Sequence, residues 1–450
     1  TFEGSLAVTG EALWGDVLVN NIDALAEAAL AEGSVAALSI GVQKGGEVLL
    51  VKGYGLADIE NDVPATAETV YRIGSITKQF TAASVMQLVE AGQIGLDDPM
   101  TRFLPDYPMQ GHEVTIRHLL THTSGIKSYT GLAEWRPQMK LDLTDEELLA
   151  IFNDEPFDFD PGERFLYNNS GFYLLGVIIG KAGDEPYAEY LNTHLFGPLD
   201  LPGSSYCDER RIIRGRAEGY QFLNGELLND EYLSMNQPGA AGALCSTVVD
   251  LLSWTSALRA GGAGGVVSAA SYEQMTTPGT LNDGSATSYG FGLGTGSLVG
   301  NPSVSHGGGI NGFSAMLAHY PEADLDVVVL SNTPGPHVGR TAETIAKWAL
   351  GIEVPEVSEV LDEPISAEDI AAYEGVYELR PGFEVTISSR EGQLFAQATG
   401  QGGFRLKAQG DHTFIAAVDD GIRIVFVVEG ASATTLVLYQ GGRAEAPRVR

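Results

Sequence analysis

Apolar residues recur at helical spacing through 21–33 (NIDALAEAALAEG) and stop at Gly33, which predicts an amphipathic helix there. The period then drops to two in VAALSIGVQKGGEVLLVKGYGLAD, around a GG turn, the pattern of an antiparallel hairpin. From Ser75 it returns to helical in SITKQFTAASVMQLVEAG, predicting a long, largely buried helix closed by Gly92. Further helices are expected near VTIRHLLTHTSG and TDEELLAIFND, in SGFYLLGVIIGKAG, at 246–261 behind Ser246 or Thr247, and at 341–351. Between 285 and 333 the chain reads as short strands (SYGFGLGTGSL, SVSHGGGINGF, SAMLAHYPEA, LDVVVLSNT).

This order makes an α+β domain over 1–351, an antiparallel sheet with helices before and after it and an all-helical insertion. IEVPEVSEVLDEP is acidic and proline-punctuated, so 352–366 reads as a linker. Residues 367–450 hold six or seven closely spaced β-runs, from GVYEL to TTLVLYQG, which favour a small antiparallel barrel or sandwich. That tail carries no catalytic cluster and reads as a structural or assembly module.

Composition narrows the partners. Of 450 residues 44% are apolar and 19% charged, ordinary for a folded chain. Lys and Arg number 26 against 59 Asp and Glu, a formal charge of −33, so nucleic acid and anionic membrane are poor partners. No apolar run is long enough to span a bilayer and no basic-then-apolar leader opens the chain; if exported, its signal is expected to have been removed. Cys245 lies in the apolar run AGALCSTVVDLLSW and reads as a buried free thiol, a single bridge to Cys207 being the alternative.

Three sequence elements could carry chemistry. Ser75 and Lys78 form S-x-x-K, and residues three apart share a helix face, so the amine can approach the hydroxyl. A serine needs a base, and a desolvated lysine has its pKa lowered enough to serve. The second element is Tyr167-Asn168-Asn169 behind the turn Pro161-Gly162. A cationic lysine nearby would ease ionisation of Tyr167, which could pass protons to a leaving group. Asn169 could accept from Lys78 while donating to a substrate carbonyl. The third is His306-Gly307-Gly308-Gly309, whose glycine-rich edge would let substrate backbone lie close. Its amides could join the Ser75 N–H in an oxyanion hole. Taken singly, these read as a helix cap, a half-buried tyrosine with a turn asparagine, and a glycine hairpin.

Together they resemble the serine β-lactamase and penicillin-binding peptidase superfamily, in the branch of class C β-lactamases, D-Ala-D-Ala carboxypeptidases, D-aminopeptidases and family VIII esterases. YRIGSITKQFTA, HLLTHTSGI, PGERFLYNNSGFYLLG, AGALCSTVVDLLSW and YGFGLG are similar to stretches of that family, in order, over roughly 15–350. The resemblance implies Ser75 as nucleophile with Lys78 as its partner, Tyr167 and Asn169 as the Y-x-N element, and His306 and Gly308 as the H-x-G variant of K-T-G. It places the oxyanion at the Ser75 and Gly309 amides, with Gly307 and Gly308 lining the substrate. It implies an acyl-enzyme, no cofactor or metal, and a small-molecule or short-peptide substrate. Which of Lys78 and Tyr167 is the base stays open. The tail is similar to the lipocalin-like barrels that follow some of these hydrolases, which implies a homo-oligomer built through it. Family habit implies export to a periplasmic or extracellular space, a cytoplasmic location being the alternative.

His306 stands where lactamases have Lys and is mostly neutral at pH 7, which favours a peptidase or amidase of D-residue peptides over a β-lactamase. A short-chain carboxylesterase with weak lactamase activity and a non-catalytic penicillin-binding sensor are the alternatives. An α/β-hydrolase would need a G-x-S-x-G elbow, which the chain lacks. His118 and His122 are four apart, but no Glu stands between them for a zinc motif, so core or supporting roles are expected.

Overall fold

The run LDVVVLS becomes the strand Leu325–Ser331, buried along its whole length at the centre of a seven-stranded antiparallel sheet. Across the sheet the order is Val63–Pro64, Glu47–Asp58, Ala37–Lys44, Leu325–Ser331, Phe313–Tyr320, Asn301–Ile310 and Gly294–Leu298. Successive side chains point to opposite faces. Val327 and Val329 therefore pack with Leu38, Ile40 and Val42 against Ile22 and Ile345, on the helices Gly10–Ala31 and His337–Ala349. Val328 and Leu330 join the larger core with Leu252 and Trp254 of the helix Val248–Ala260 and Phe80 of Thr77–Glu90. Each such buried side chain contributes about 1.5–3 kcal/mol. The rings of Phe80 and Trp254 stack at 3.8 Å.

The computed structural model describes residues 10–450 except 224, 263–264, 355–361, 381–382, 391, 400–402, 418, 431 and 440–442. The chain divides into two compact units, Thr1–Ile352 and Glu353–Arg450, and the expected linker lies outside the described residues at 355–361. Among the described residues no helix is long and apolar enough to cross a membrane.

Several elements differ from expectation. The first helix begins at Gly10 rather than Asn21, since Leu18, Ile22 and Ala26 form one buried seam at a spacing of four. The helix expected from Ser75 opens as a 3₁₀ turn, Gly74–Ile76, before the α-helix Thr77–Glu90. Ile116–Leu120 and Asp145–Leu149 are short, each started by a capping box, Thr115 with His118 and Thr144 with Glu147. A helix not foreseen, Ala269–Thr276, is capped by Ser268.

Cys245 is not a free thiol. A small sheet pairs Ser205 with Cys245, which brings Cys207 alongside, and the two cysteines form a buried disulfide with Cα atoms 5.2 Å apart. Strand pairing between segments 38 residues apart made that contact, and spacing alone does not reveal it.

The second unit is an eight-stranded antiparallel sheet in sequential order. Tyr377 bridges Arg448, and Val376 donates to the Arg450 carbonyl while its own carbonyl accepts from Val449, so the two edges meet and the sheet is nearly closed. Closure removes the exposed edges that invite aggregation. Its core holds Tyr373, Tyr377, Phe414 and Phe426. The eighth strand, Arg443–Pro447, was not expected because RAEAP carries no apolar alternation; nor was the helix Ala367–Tyr373.

Candidate active site

Ser75 lies in the 3₁₀ turn, where its side chain caps no helix: the position before Thr77–Glu90 belongs to Ile76, with no side-chain cap. Gly74 has φ +50, a conformation that side chains other than glycine's resist. Against this turn runs the glycine-rich strand Asn301–Ile310. A Cβ on Gly308 would collide with the carbonyl of Ile73 and stand 3.3 Å from the Ser75 nitrogen. The Gly309 nitrogen lies 2.9 Å from where a Cβ on Gly74 would be. Absent side chains thus let the Ser75 and Gly309 backbones come together.

Lys78 is fully buried. Its Nζ lies 3.0 Å from Ser75 Oγ, 2.9 Å from Asn169 Oδ1 and 2.7 Å from the Ala241 carbonyl. Burial holds its pKa well below the usual 10.5. Asn169 opens the helix Asn169–Gly183. Its Nδ2 donates to Thr130 Oγ1 at 3.1 Å and its backbone N–H to Ser128 Oγ at 3.2 Å, leaving one amide hydrogen free for another acceptor.

The Tyr167 ring sits 4.8 Å from Lys78 Nζ, and its hydroxyl faces the Ser75 side chain. Burial pushes its pKa up, partly offset by Ser75. With 38% of the residue exposed, that push is smaller than for the fully enclosed Tyr289. The expectation that a cationic lysine would ease its ionisation is not met: the desolvation that drives Lys78 toward the neutral amine also favours the neutral phenol.

His306 is buried, its Nδ1 2.6 Å from the Gly307 carbonyl and its Nε2 2.7 Å from the Tyr289 hydroxyl. Nδ1 must carry the proton, so Nε2 accepts from Tyr289. Burial, then Lys78, push its pKa down to about 4. Both ring nitrogens are thus engaged within the protein.

Sequence reasoning passed over four residues of this site: Ser128, Thr130, Tyr289 and His122. Ser128 and Thr130 bond to Asn169, and Tyr289 bonds to His306 and packs against Tyr167 and His122. His122 was weighed as a zinc ligand, although HLLTHTSG was the available signal. It lies at 4.3 Å ring-to-ring from Tyr167 and 4.7 Å from Tyr289. His118 instead completes the capping box of its helix. Among the described residues, His319, Asp324 and Asp326 group as metal ligands would, but Arg259 already stands 2.9 Å from each of the two carboxylates.

A cavity of about 1000 Å³ begins at Thr130, the hydrogen-bond partner of Asn169. Trp135, Arg136 and Lys140 line one part of it, and Asp230, Glu231 and Asn311 another.

The chain matches the family model described as Beta-lactamase over residues 22–351. It is 29% identical over 430 residues to penicillin-binding protein 4* of Bacillus subtilis (strain 168), covering 89% of this chain and 92% of that protein. The octameric penicillin-binding protein homologue from Pyrococcus abyssi superposes with a TM-score of 0.69 at 28% identity, over 95% of this chain and 99% of that one. A D-stereospecific amidohydrolase from Streptomyces sp. gives 0.63 at 26% identity, over 74% of this chain and 99% of that one.

Proposed function

The chain belongs to the β-lactamase family, and from that premise we propose that it is a serine amidase or peptidase, cleaving small D-residue amides through an acyl-enzyme on Ser75. The observation that carries this reading is the coordination of Lys78. A neutral amine has two hydrogens and one lone pair. Burial favours that neutral form, and in it Asn169 Oδ1 and the Ala241 carbonyl, which can only accept, take both hydrogens, so that the lone pair faces Ser75 Oγ. Lys78 is the base.

Ser75 Oγ attacks the substrate carbonyl carbon as its proton passes to Lys78. The oxygen's charge rests on the Ser75 and Gly309 amides. Tyr167, kept protonated by burial, gives its proton to the leaving nitrogen as the C–N bond breaks, and Lys78 restores it. Water then cleaves the acyl-enzyme. Gly307 and Gly308 line the strand along which the substrate lies, and the free amide hydrogen of Asn169 meets its carbonyl.

A neutral His306 offers no cation to a substrate carboxylate, which favours amide substrates over β-lactams as the main activity. The names of the amidohydrolase and penicillin-binding relatives support the same choice. The buried Cys207–Cys245 disulfide supports an exported enzyme, since such bridges persist in oxidising compartments. Assembly through the second unit is part of the same proposal, supported by the octameric relative.

The test is release of p-nitroaniline from D- and L-phenylalanine p-nitroanilide, with intact-protein mass after benzylpenicillin. Expected are a preference for the D substrate, a penicillin adduct on the unmodified protein only, and loss of at least ~10³-fold in turnover for Ser75→Ala. Undiminished turnover in Ser75→Ala would overturn the mechanism. An L preference would remove the stereochemical part, and a single acylation without turnover would make the protein a sensor.

A further inference from the structure

We propose that His122 is the positioning residue of Tyr167, fixing the tyrosine by holding the backbone on both sides of it; this rests on the reading of Tyr167 as the proton donor. The His122 carbonyl accepts from the Leu166 N–H at 2.9 Å, and its ring Nδ1 accepts from the Asn168 N–H at 3.0 Å. Leu166 and Asn168 flank Tyr167 directly, so one residue clamps the tyrosine from both ends. The ring also packs against that of Tyr167 at a tilt of 40°, with centroids 4.3 Å apart, and Phe172 and Tyr289 complete the box at 5.0 and 4.7 Å.

A purely structural histidine would be expected to satisfy both nitrogens. Here Nδ1 accepts, so Nε2 bears the proton, yet among the described residues this buried Nε2 has no hydrogen-bond partner. Leaving a buried donor unpaired costs free energy, and the backbone is held at φ +57, in the left-handed region where histidine, like asparagine and aspartate, is found more often than other side chains. That cost is accepted where carbonyl and Nδ1 bracket Tyr167.

The test uses side-chain isosteres. Asparagine places its oxygen near the position of Nδ1 and tolerates the left-handed backbone, whereas glutamine reaches the position of Nε2. With D-phenylalanine p-nitroanilide, His122→Gln and His122→Ala are expected to lower kcat about 30-fold with KM within about twofold, and His122→Asn to recover most of the loss. On a Tyr167→Phe background His122→Ala should add less than about twofold, because its effect runs through the tyrosine. Equal losses for Asn and Gln, or a full additional loss on Tyr167→Phe, would overturn the proposal. If His122→Ala does not fold, the contrast between Asn and Gln decides. Wild-type activity in Tyr167→Phe alone would instead refute the role given to Tyr167.

Discussion

In the proposed mechanism Lys78 works as a base because of what surrounds it, and one neighbour can be changed to test this. Asn169 holds its amine with a neutral oxygen. Asn169→Asp would put a carboxylate at the same distance, favour the ammonium and raise the pKa of Lys78. Since the neutral form is the base, present above that pKa, the acidic limb of kcat/KM against pH should move to higher pH. A limb that stays in place or moves down would show that Lys78 is not the titrating base. His306 is already neutral through most of this range, with its pKa near 4, and contributes nothing to a limb above pH 6.

At the scale of elements, the site depends on a strand without side chains meeting a turn with an unusual backbone. Gly308 and Gly309 are neighbours with opposite tolerance. A Cβ at 308 collides with the Ile73 carbonyl, whereas one at 309 meets nothing within 4 Å. Gly308→Ala should push the strand off the Ser75 turn, costing about 100-fold or more in kcat/KM together with a lower melting temperature. Gly309→Ala should keep its amide in place and retain most of the activity. Comparable kinetics for the two variants would mean that close approach of strand and turn is not what builds the site.

The whole molecule adds separate cores, one on each face of the large sheet in the first unit and one in the second unit, and one covalent tie. The Cys207–Cys245 bridge closes 38 residues, worth about 4 kcal/mol in the chain-entropy account. Replacing both cysteines by alanine should lower the melting temperature by several degrees, read by circular dichroism, while kcat changes little. An unchanged melting temperature would mean that the surrounding small sheet holds these segments without the bond.

Much of this was legible in the chain because it is local. The i, i+3 spacing puts Lys78 on the same side as Ser75, glycine runs announce close backbone approach, and the apolar run in LDVVVLS announces a buried strand. The closing strand Arg443–Pro447 and the disulfide were not legible, because edge pairing and cysteine proximity leave no periodic trace. The state of the site was not legible either. Lys78 owes its lowered pKa to burial, and its amine is held by acceptors 91 and 163 residues away. Tyr167 owes its position to a histidine 45 places earlier, bonded to the residues on either side of it. Local spacing determined which groups could meet. Desolvation and hydrogen-bond partners exist only once distant segments pack, so only the tertiary structure decided which of those groups are neutral, where their protons sit and what holds them in place.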